Sequence, residues 1–168
     1  MRIRRDKSGF TLIELLIVVA IIGIIVAIAI PNLLNAIQRA KQKRTMADMR
    51  SIGTALEAYA VDYNRYPAAA GAYSLPTTIS TLPSTTIGSS ATAALSPTYI
   101  RTMPMKDGWN SYFVYGTGSS NNLDYALASW GKDGAKDTSQ VLGPTTSFDN
   151  DIIFADGQFI AFPEGTQK

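Results

Sequence analysis

An almost unbroken apolar run from Phe10 to Ile30, closing at Pro31 and holding a single carboxylate at Glu14, constrains this chain more than any other feature. Roughly 20 consecutive apolar residues suffice to cross the hydrocarbon core of a bilayer as a helix. Before the run stand Arg2, Arg4, Arg5 and Lys7 against Asp6, then the small pair Ser8-Gly9. A secretory signal peptide would place its small-residue cleavage site after the apolar run and would end sooner. Here the apolar pattern continues in helical spacing past Pro31 through Leu33, Leu34 and Ile37.

The remainder of the 168-residue chain is enough for one modest soluble domain, since domains commonly hold about 100 to 150 residues. The sequence has no cysteine and no histidine. Disulfides, zinc-thiolate centres, cysteine nucleophiles and histidine general bases are therefore excluded. The formal net charge of +2 is concentrated ahead of the apolar run and leaves the remainder slightly acidic, so charge gives no support to nucleic-acid binding.

Glu14 poses a physical problem. A carboxylate at the centre of a bilayer costs roughly 2.5 to 3.5 kcal/mol on insertion scales, so it needs a partner or an interface. Lying near the end of the run, it can also snorkel to the headgroups. Gly23 and Pro31 interrupt the same segment, and a proline inside a helix removes a backbone donor and crowds the preceding turn, here near Ala27, so a kink is expected.

Lys7-Ser8-Gly9-Phe10-Thr11-Leu12-Ile13-Glu14-Leu15 resembles the leader junction of type IV prepilins and of the pseudopilins of type II secretion. The resemblance implies cleavage after Gly9 by a prepilin peptidase and N-methylation of the new terminus at Phe10. It places the N-terminus in the cytoplasm and a single-pass subunit in the bacterial inner membrane, with its C-terminal domain in the periplasm. It also implies that Glu14 pairs with the Phe10 amine of a neighbouring subunit and sets register in a filament, and that the segment from Gly23 to Pro31 can lose helicity on assembly. The partners implied are further copies of the chain, minor pseudopilins, an inner-membrane assembly platform and the membrane itself before assembly.

Beyond Pro31 the apolar positions Met46, Met49, Ile52, Leu56 and Tyr59 or Ala60 recur every three to four residues, which predicts continued helix. A helix over residues 10 to 60 would be about 75 Å long. Arg39, Lys41, Lys43 and Arg44 form a basic collar, with Arg44 and Asp48 spaced for an i,i+4 pair. This collar reads either as a solvated face touching headgroups or as a contact for an acidic partner. Because basic residues flank the apolar run on both sides, charge alone does not orient the segment.

The helical pattern ends at Asp62-Tyr63-Asn64-Arg65-Tyr66-Pro67, and residues 68–98 are rich in Ala, Ser, Thr and Pro without any charge. They predict a long loop with room for one short helix. Short β-type runs follow at Ser111 to Tyr115, Leu123 to Ser129, Asp151 to Ala155 and Gln158 to Phe162. Asp156-Gly157 between the last two is a two-residue hairpin signal. Gly116-Thr117-Gly118-Ser119-Ser120 reads as a turn. The fold class is α+β, pilin-like: a long N-terminal helix packed on a small C-terminal antiparallel sheet. Its segments are a leader (1–9), a transmembrane or filament-core helix half (10–31), an amphipathic half (32–63), a Ser/Thr/Ala-rich loop (64–98) and the sheet with an acidic loop (99–168).

That acidic loop holds Asp133, Asp137, Asp149 and Asp151, with Ser129 and Asn150. Hard oxygen donors of this kind suit calcium, which takes six to eight oxygens at about 2.3 to 2.6 Å. The spacing is not that of an EF-hand, and an acidic loop stapled by Asx turns is the competing reading. Arg65-Tyr66-Pro67, Tyr99 to Pro104, Asp107 to Tyr112, Ser129 to Gly134 and Asp149 to Ile152 follow the order seen in major pseudopilins, where the loop between the last two segments binds calcium. The resemblance thus points to Asp133, Asp149 and Asp151 as ligands, with Ser129 and Asp137 ranked lower. Two departures stand out: Lys106-Asp107-Gly108-Trp109 replaces an Asp-Pro-Trp-Gly pattern, and the loop lacks paired glycines.

Three functions fit these features in different degree. The first is a major pseudopilin driving protein export through a type II secretion system. The second is a type IV pilin for adhesion, motility or DNA uptake, although the cysteine pair that many pilins carry is missing. The third is a membrane-anchored enzyme or binding domain, and against it stand the absent histidine and cysteine and the lack of a phosphate-binding glycine loop.

Overall fold

The computed structural model describes residues 9–69, 72–73, 86–118, 121–137, 142–164 and 167. The basic leader ahead of Gly9, much of the uncharged loop, and Ser119-Ser120 lie outside the described residues. The chain divides into two compact units, residues 1–37 and 38–168.

The first helix, α1, spans Leu12–Tyr63 and passes through Gly23 and Pro31 without a break. Its apolar stretch reaches a mean hydropathy of 3.2 over an 18-residue window, none of it buried. It is therefore long and apolar enough to cross a membrane. After residue 38 the character changes, and Gln42, Thr45, Met49, Ile52, Gly53, Ala55 and Leu56 form a buried face at three- to four-residue spacing. Asn64 ends the helix with φ of 55° and donates its amide to the carbonyl of Ala60 at 2.8 Å, a left-handed cap that asparagine tolerates.

Among the described residues, the second unit carries a six-stranded sheet and a short helix, α2 (Ser89–Leu95), within the uncharged loop. The strands are β1 (Ala72–Tyr73), β2 (Val114–Gly118), β3 (Tyr125–Ser129), β4 (Gly143–Thr145), β5 (Ile152–Ala155) and β6 (Gln158–Pro163). Their order is β1-β2-β3-β5-β6-β4. The centre, β2 to β3 to β5 to β6, is antiparallel, and the Asp156-Gly157 hairpin joins its last two strands. Two very short outer strands, β1 on β2 and β4 on β6, add themselves in parallel.

The reading of Gly116-Thr117-Gly118 as a turn is corrected. These residues are the second half of β2, where Gly116 pairs with Ala126 and Thr117 with Tyr125. The buried Thr117 hydroxyl bonds the Asn122 side chain at 2.9 Å, so the tertiary partner overrides the local preference of glycine.

The sheet separates two apolar clusters. On the α1 side, Met49, Ile52 and Leu56 pack with Phe113, Tyr115, Tyr125, Leu127, Ile152 and Phe154. On the other, Val114, Ala126, Ala128, Ile153, Ala155 and Ala161 form a smaller cluster against Trp130, Leu142 and Ile160. Each large side chain fully buried here contributes about 1.5 to 3 kcal/mol relative to exposure. Gly53 sets how closely helix and sheet approach, because a Cβ there would collide with the ring of Phe154.

Candidate assembly and cation-binding sites

At the start of α1, Gly9 and Phe10 are exposed and precede the helix. Glu14 turns back on its own helix end. One of its carboxylate oxygens, Oε2, accepts from both the amide and the hydroxyl of Thr11 at 2.8 Å, while the Glu14 amide donates to the Thr11 hydroxyl at 3.3 Å. This reciprocal arrangement is a capping box, which satisfies amides that the first helical turn leaves without partners. Among the described residues, the second oxygen, Oε1, takes no hydrogen bond, so it is available to a group from outside the chain. The Thr-x-x-Glu spacing ahead of an apolar run is a legible signal for this box, and it adds Thr11 to the residues that orient Glu14.

A Cβ at Gly23 would meet nothing within 4 Å beyond its own helix backbone. Pro31 lies inside α1 and cannot donate to Ala27. One residue on, the Asn32 side-chain amide donates to the carbonyl of Ile28 at 3.3 Å, which leaves the Ala27 carbonyl without the bond the proline removes. As expected, the helix continues beyond the proline.

In the acidic loop, the backbone reverses at Gly131, whose φ of 62° and close approach to the carbonyls of Asp149 and Asn150 exclude a side chain. Lys132 donates its amide to Phe148 at 2.9 Å, holding the two arms of the loop together. An open cavity of about 320 Å³ lies between them, lined by Asp133, Lys136, Asp137, Ser147, Asp149 and Asn150. Asp133 accepts the Ala135 amide at 3.0 Å in an Asx turn, and exposed Asp149 stands 3.7 Å from the Lys132 ammonium. Asp151 is fully buried and accepts the Asp137 amide at 3.0 Å. Burial pushes its carboxyl up to about 7, an effect reinforced by the nearby Asp137 and Asp133 charges and opposed by that amide bond.

The structure thus brings Asp133, Asp137 and Asp149 to one cavity and places Asp151 in the buried layer beside it. Ser129 does not join them, because its buried hydroxyl donates to Asp107 at 2.7 Å. The donor chemistry, all hard oxygen, fits calcium. The carboxylates stand apart, however: among the described residues no three acidic side chains converge as a metal-binding group.

Asp107, to which the sequence reading gives no site role, proves to be a structural hub. It is 4 % exposed and accepts the amides of Trp109 and Ser111, each at 2.9 Å, as well as the Ser129 hydroxyl. The adjoining Gly108 amide donates to Thr45 on α1 at 2.9 Å, and the Trp109 indole donates to Gln38 at 2.7 Å. The segment 107–109 therefore fastens the second half of α1 to the sheet.

Comparison with known proteins gives two family matches. The model for type II secretion system protein G matches residues 32–143, and that for the prokaryotic N-terminal methylation motif matches residues 4–30. Among individual proteins, the type II secretion system core protein G of Aeromonas hydrophila is 31% identical over 83% of this chain and 93% of its own length. The core protein G of Pseudomonas aeruginosa is 30% identical over 83% of this chain and 96% of its own. That of Vibrio cholerae is 30% identical over 85% and 94%. No solved structure matches significantly.

Proposed function

From the chain's membership of the type II secretion system protein G family, we propose that it is a non-catalytic structural subunit of the secretion pseudopilus, a helical filament whose growth drives protein export. The exposed apolar half of α1, capped at its start by one carboxylate, carries this reading. Such a surface requires a non-aqueous partner. Lipid supplies it before assembly and other copies of the chain supply it afterwards.

In this account the subunit is held in the bacterial inner membrane by one span, with its N-terminus cytoplasmic and residues 38–168 periplasmic. A prepilin peptidase cuts after Gly9 and the Phe10 amine is methylated, in keeping with the methylation-motif match. Glu14 keeps its bond to Thr11 and offers Oε1 to the Phe10 amine of a neighbour. An assembly platform and minor pseudopilins start the filament. The family match, to a secretion protein over most of the chain, favours export over an adhesive pilus.

The decisive experiment replaces Glu14 by Ala and follows membrane insertion, leader cleavage, filament yield and cargo export. Insertion and cleavage should persist while filaments and export are lost; normal filaments would overturn the role given to Glu14. On assembly the segment from Gly23 to Pro31 loses helicity, and a density map of the filament with continuous helix there would reject that step. Calcium would take the hard oxygens of Asp133, Asp149 and Asp151 at the acidic loop, with Asp137 adjoining. Its binding should raise the thermal midpoint of the full chain over that in chelator, and an unchanged midpoint at millimolar calcium would reject the site.

A further inference from the structure

We propose that the groove between the collar of α1 and the end of β6 binds the phosphate of an anionic phospholipid headgroup at the periplasmic face of the membrane, through Arg39 and Lys43. The proposal rests on the membrane orientation given above. The groove encloses about 250 Å³ and is lined by Arg39, Gln42, Lys43, Met46, Pro163 and Gln167.

Its cations are placed for an external anion. Arg39 and Lys43 are exposed and lie one turn apart on the same helix face, a like-charge spacing that is unfavourable unless neutralised. Among the described residues neither has a carboxylate partner, whereas the neighbouring Arg44 is paired with Asp48 at 3.6 Å. A guanidinium and an ammonium converging on one anion match a phosphate, the first by its fork and the second as a point charge.

The wall of the groove is rigid. The Gln42 side-chain amide donates to Gln167 at 3.4 Å, and Gln167 in turn donates to the carbonyls of Thr145 at 2.6 Å and Glu164 at 3.0 Å. Gln42 and Gln167 are 5% and 4% exposed, so the floor is fixed before a ligand arrives. Met46 and Pro163 add apolar lining suited to the glycerol and first methylenes of a lipid.

The level along α1 also fits. From Leu12, where α1 begins, to Arg39 the helical rise amounts to about 40 Å, close to the roughly 40 to 45 Å of a bilayer with its headgroups. Trp109, bonded to Gln38 one residue before Arg39, stands at the same level. Tryptophan is enriched at this membrane–water boundary.

The test uses the full chain in nanodiscs of phosphatidylcholine containing one quarter phosphatidylglycerol, with retained lipid identified by native mass spectrometry. Wild type should retain phosphatidylglycerol over phosphatidylcholine by roughly tenfold, given two cations at the headgroup layer. The double variant Arg39→Gln, Lys43→Gln should lose the preference with an unchanged thermal midpoint, and Lys132→Gln should keep it. Equal retention in wild type and double variant would overturn the proposal, as would displacement of the lipid by millimolar inorganic phosphate. A chain that fails to enter the discs would defeat the membrane reading itself; one that enters without lipid preference would defeat only the headgroup site.

Discussion

The two halves of α1 share one backbone and differ in what surrounds them. From Leu12 to Ile37 every residue is exposed, including Leu15, Leu16, Ile21 and Ile24. From Gln42 to Leu56 one face is buried, with Met49, Ile52 and Leu56 at 0% exposure. An apolar side chain in the second half is held by its own sheet, whereas those in the first half stay exposed among the described residues. Sequence hydrophobicity alone would rank the first half as the core. In the function proposed above, its apolar surface serves lipid and other subunits, so damage there should appear in assembly and damage in the second half should appear in stability.

The sharpest way to break this contrast is a pair of leucines. Leu56→Ala removes a fully buried side chain beside Tyr125 and Phe154 and should destabilise the second unit by about 2 to 5 kcal/mol. Leu16→Ala, in the exposed half, should leave the unfolding midpoint of the same unit unchanged. Denaturant titration of both full-length variants in detergent checks the pair. An equal loss for Leu16→Ala would mean that the first half contributes to folding after all.

The two glycines give a smaller effect of opposite sign. Gly53→Ala drives a methyl group into the Phe154 ring and should cost about 1 to 3 kcal/mol by overpacking. Gly23→Ala meets open space and should favour the helix locally by about 0.5 to 1 kcal/mol in the unassembled chain. If the Gly23–Pro31 segment must loosen for assembly, that same gain should slow filament growth. Circular dichroism of the monomer and filament yield in cells read the two consequences separately.

Much of the fold was legible because it obeys a period. The spacing of Met49, Ile52 and Leu56 located the buried helix face, and Asp156-Gly157 located the β5–β6 hairpin. What escaped depends on distant partners. β1 and β4 are two and three residues long, too short to show alternation, and exist through parallel pairing with β2 and β6. The structural role of Asp107 escaped because its partner Ser129 lies 22 residues away. In the candidate sites, the leader junction and Glu14 were legible as local chemistry, and the Thr11 cap was present in the same four residues. The acidic loop was legible in composition only. Where each carboxylate points is decided by the reversal at Gly131 and by the burial of Asp151 under Asp137, neither of which a list of acidic residues contains.

The smallest predicted effect lies in the second unit, at the exposed turn between β5 and β6. Asp156 sits in the β5–β6 turn with φ of 45° and accepts the Tyr125 amide at 2.9 Å. Although the residue is exposed, local desolvation raises its carboxyl above its ordinary value; the Tyr125 amide opposes this, and the Asp124 and Glu57 charges add to it. A carboxyl raised on folding binds more protons in the native chain than in the unfolded one. Its contribution is therefore fully present below the ordinary carboxylate range and is lost as pH rises through the folded value. Asp156→Asn keeps an oxygen for the Tyr125 amide, and asparagine tolerates the positive φ. The variant should accordingly match wild type at the acid end and gain on it as pH rises toward neutral, when both are melted in chelator to keep cations out of the acidic loop. A difference that stays constant across that range would remove Asp156 from the pH response and leave the buried Asp151 to account for it.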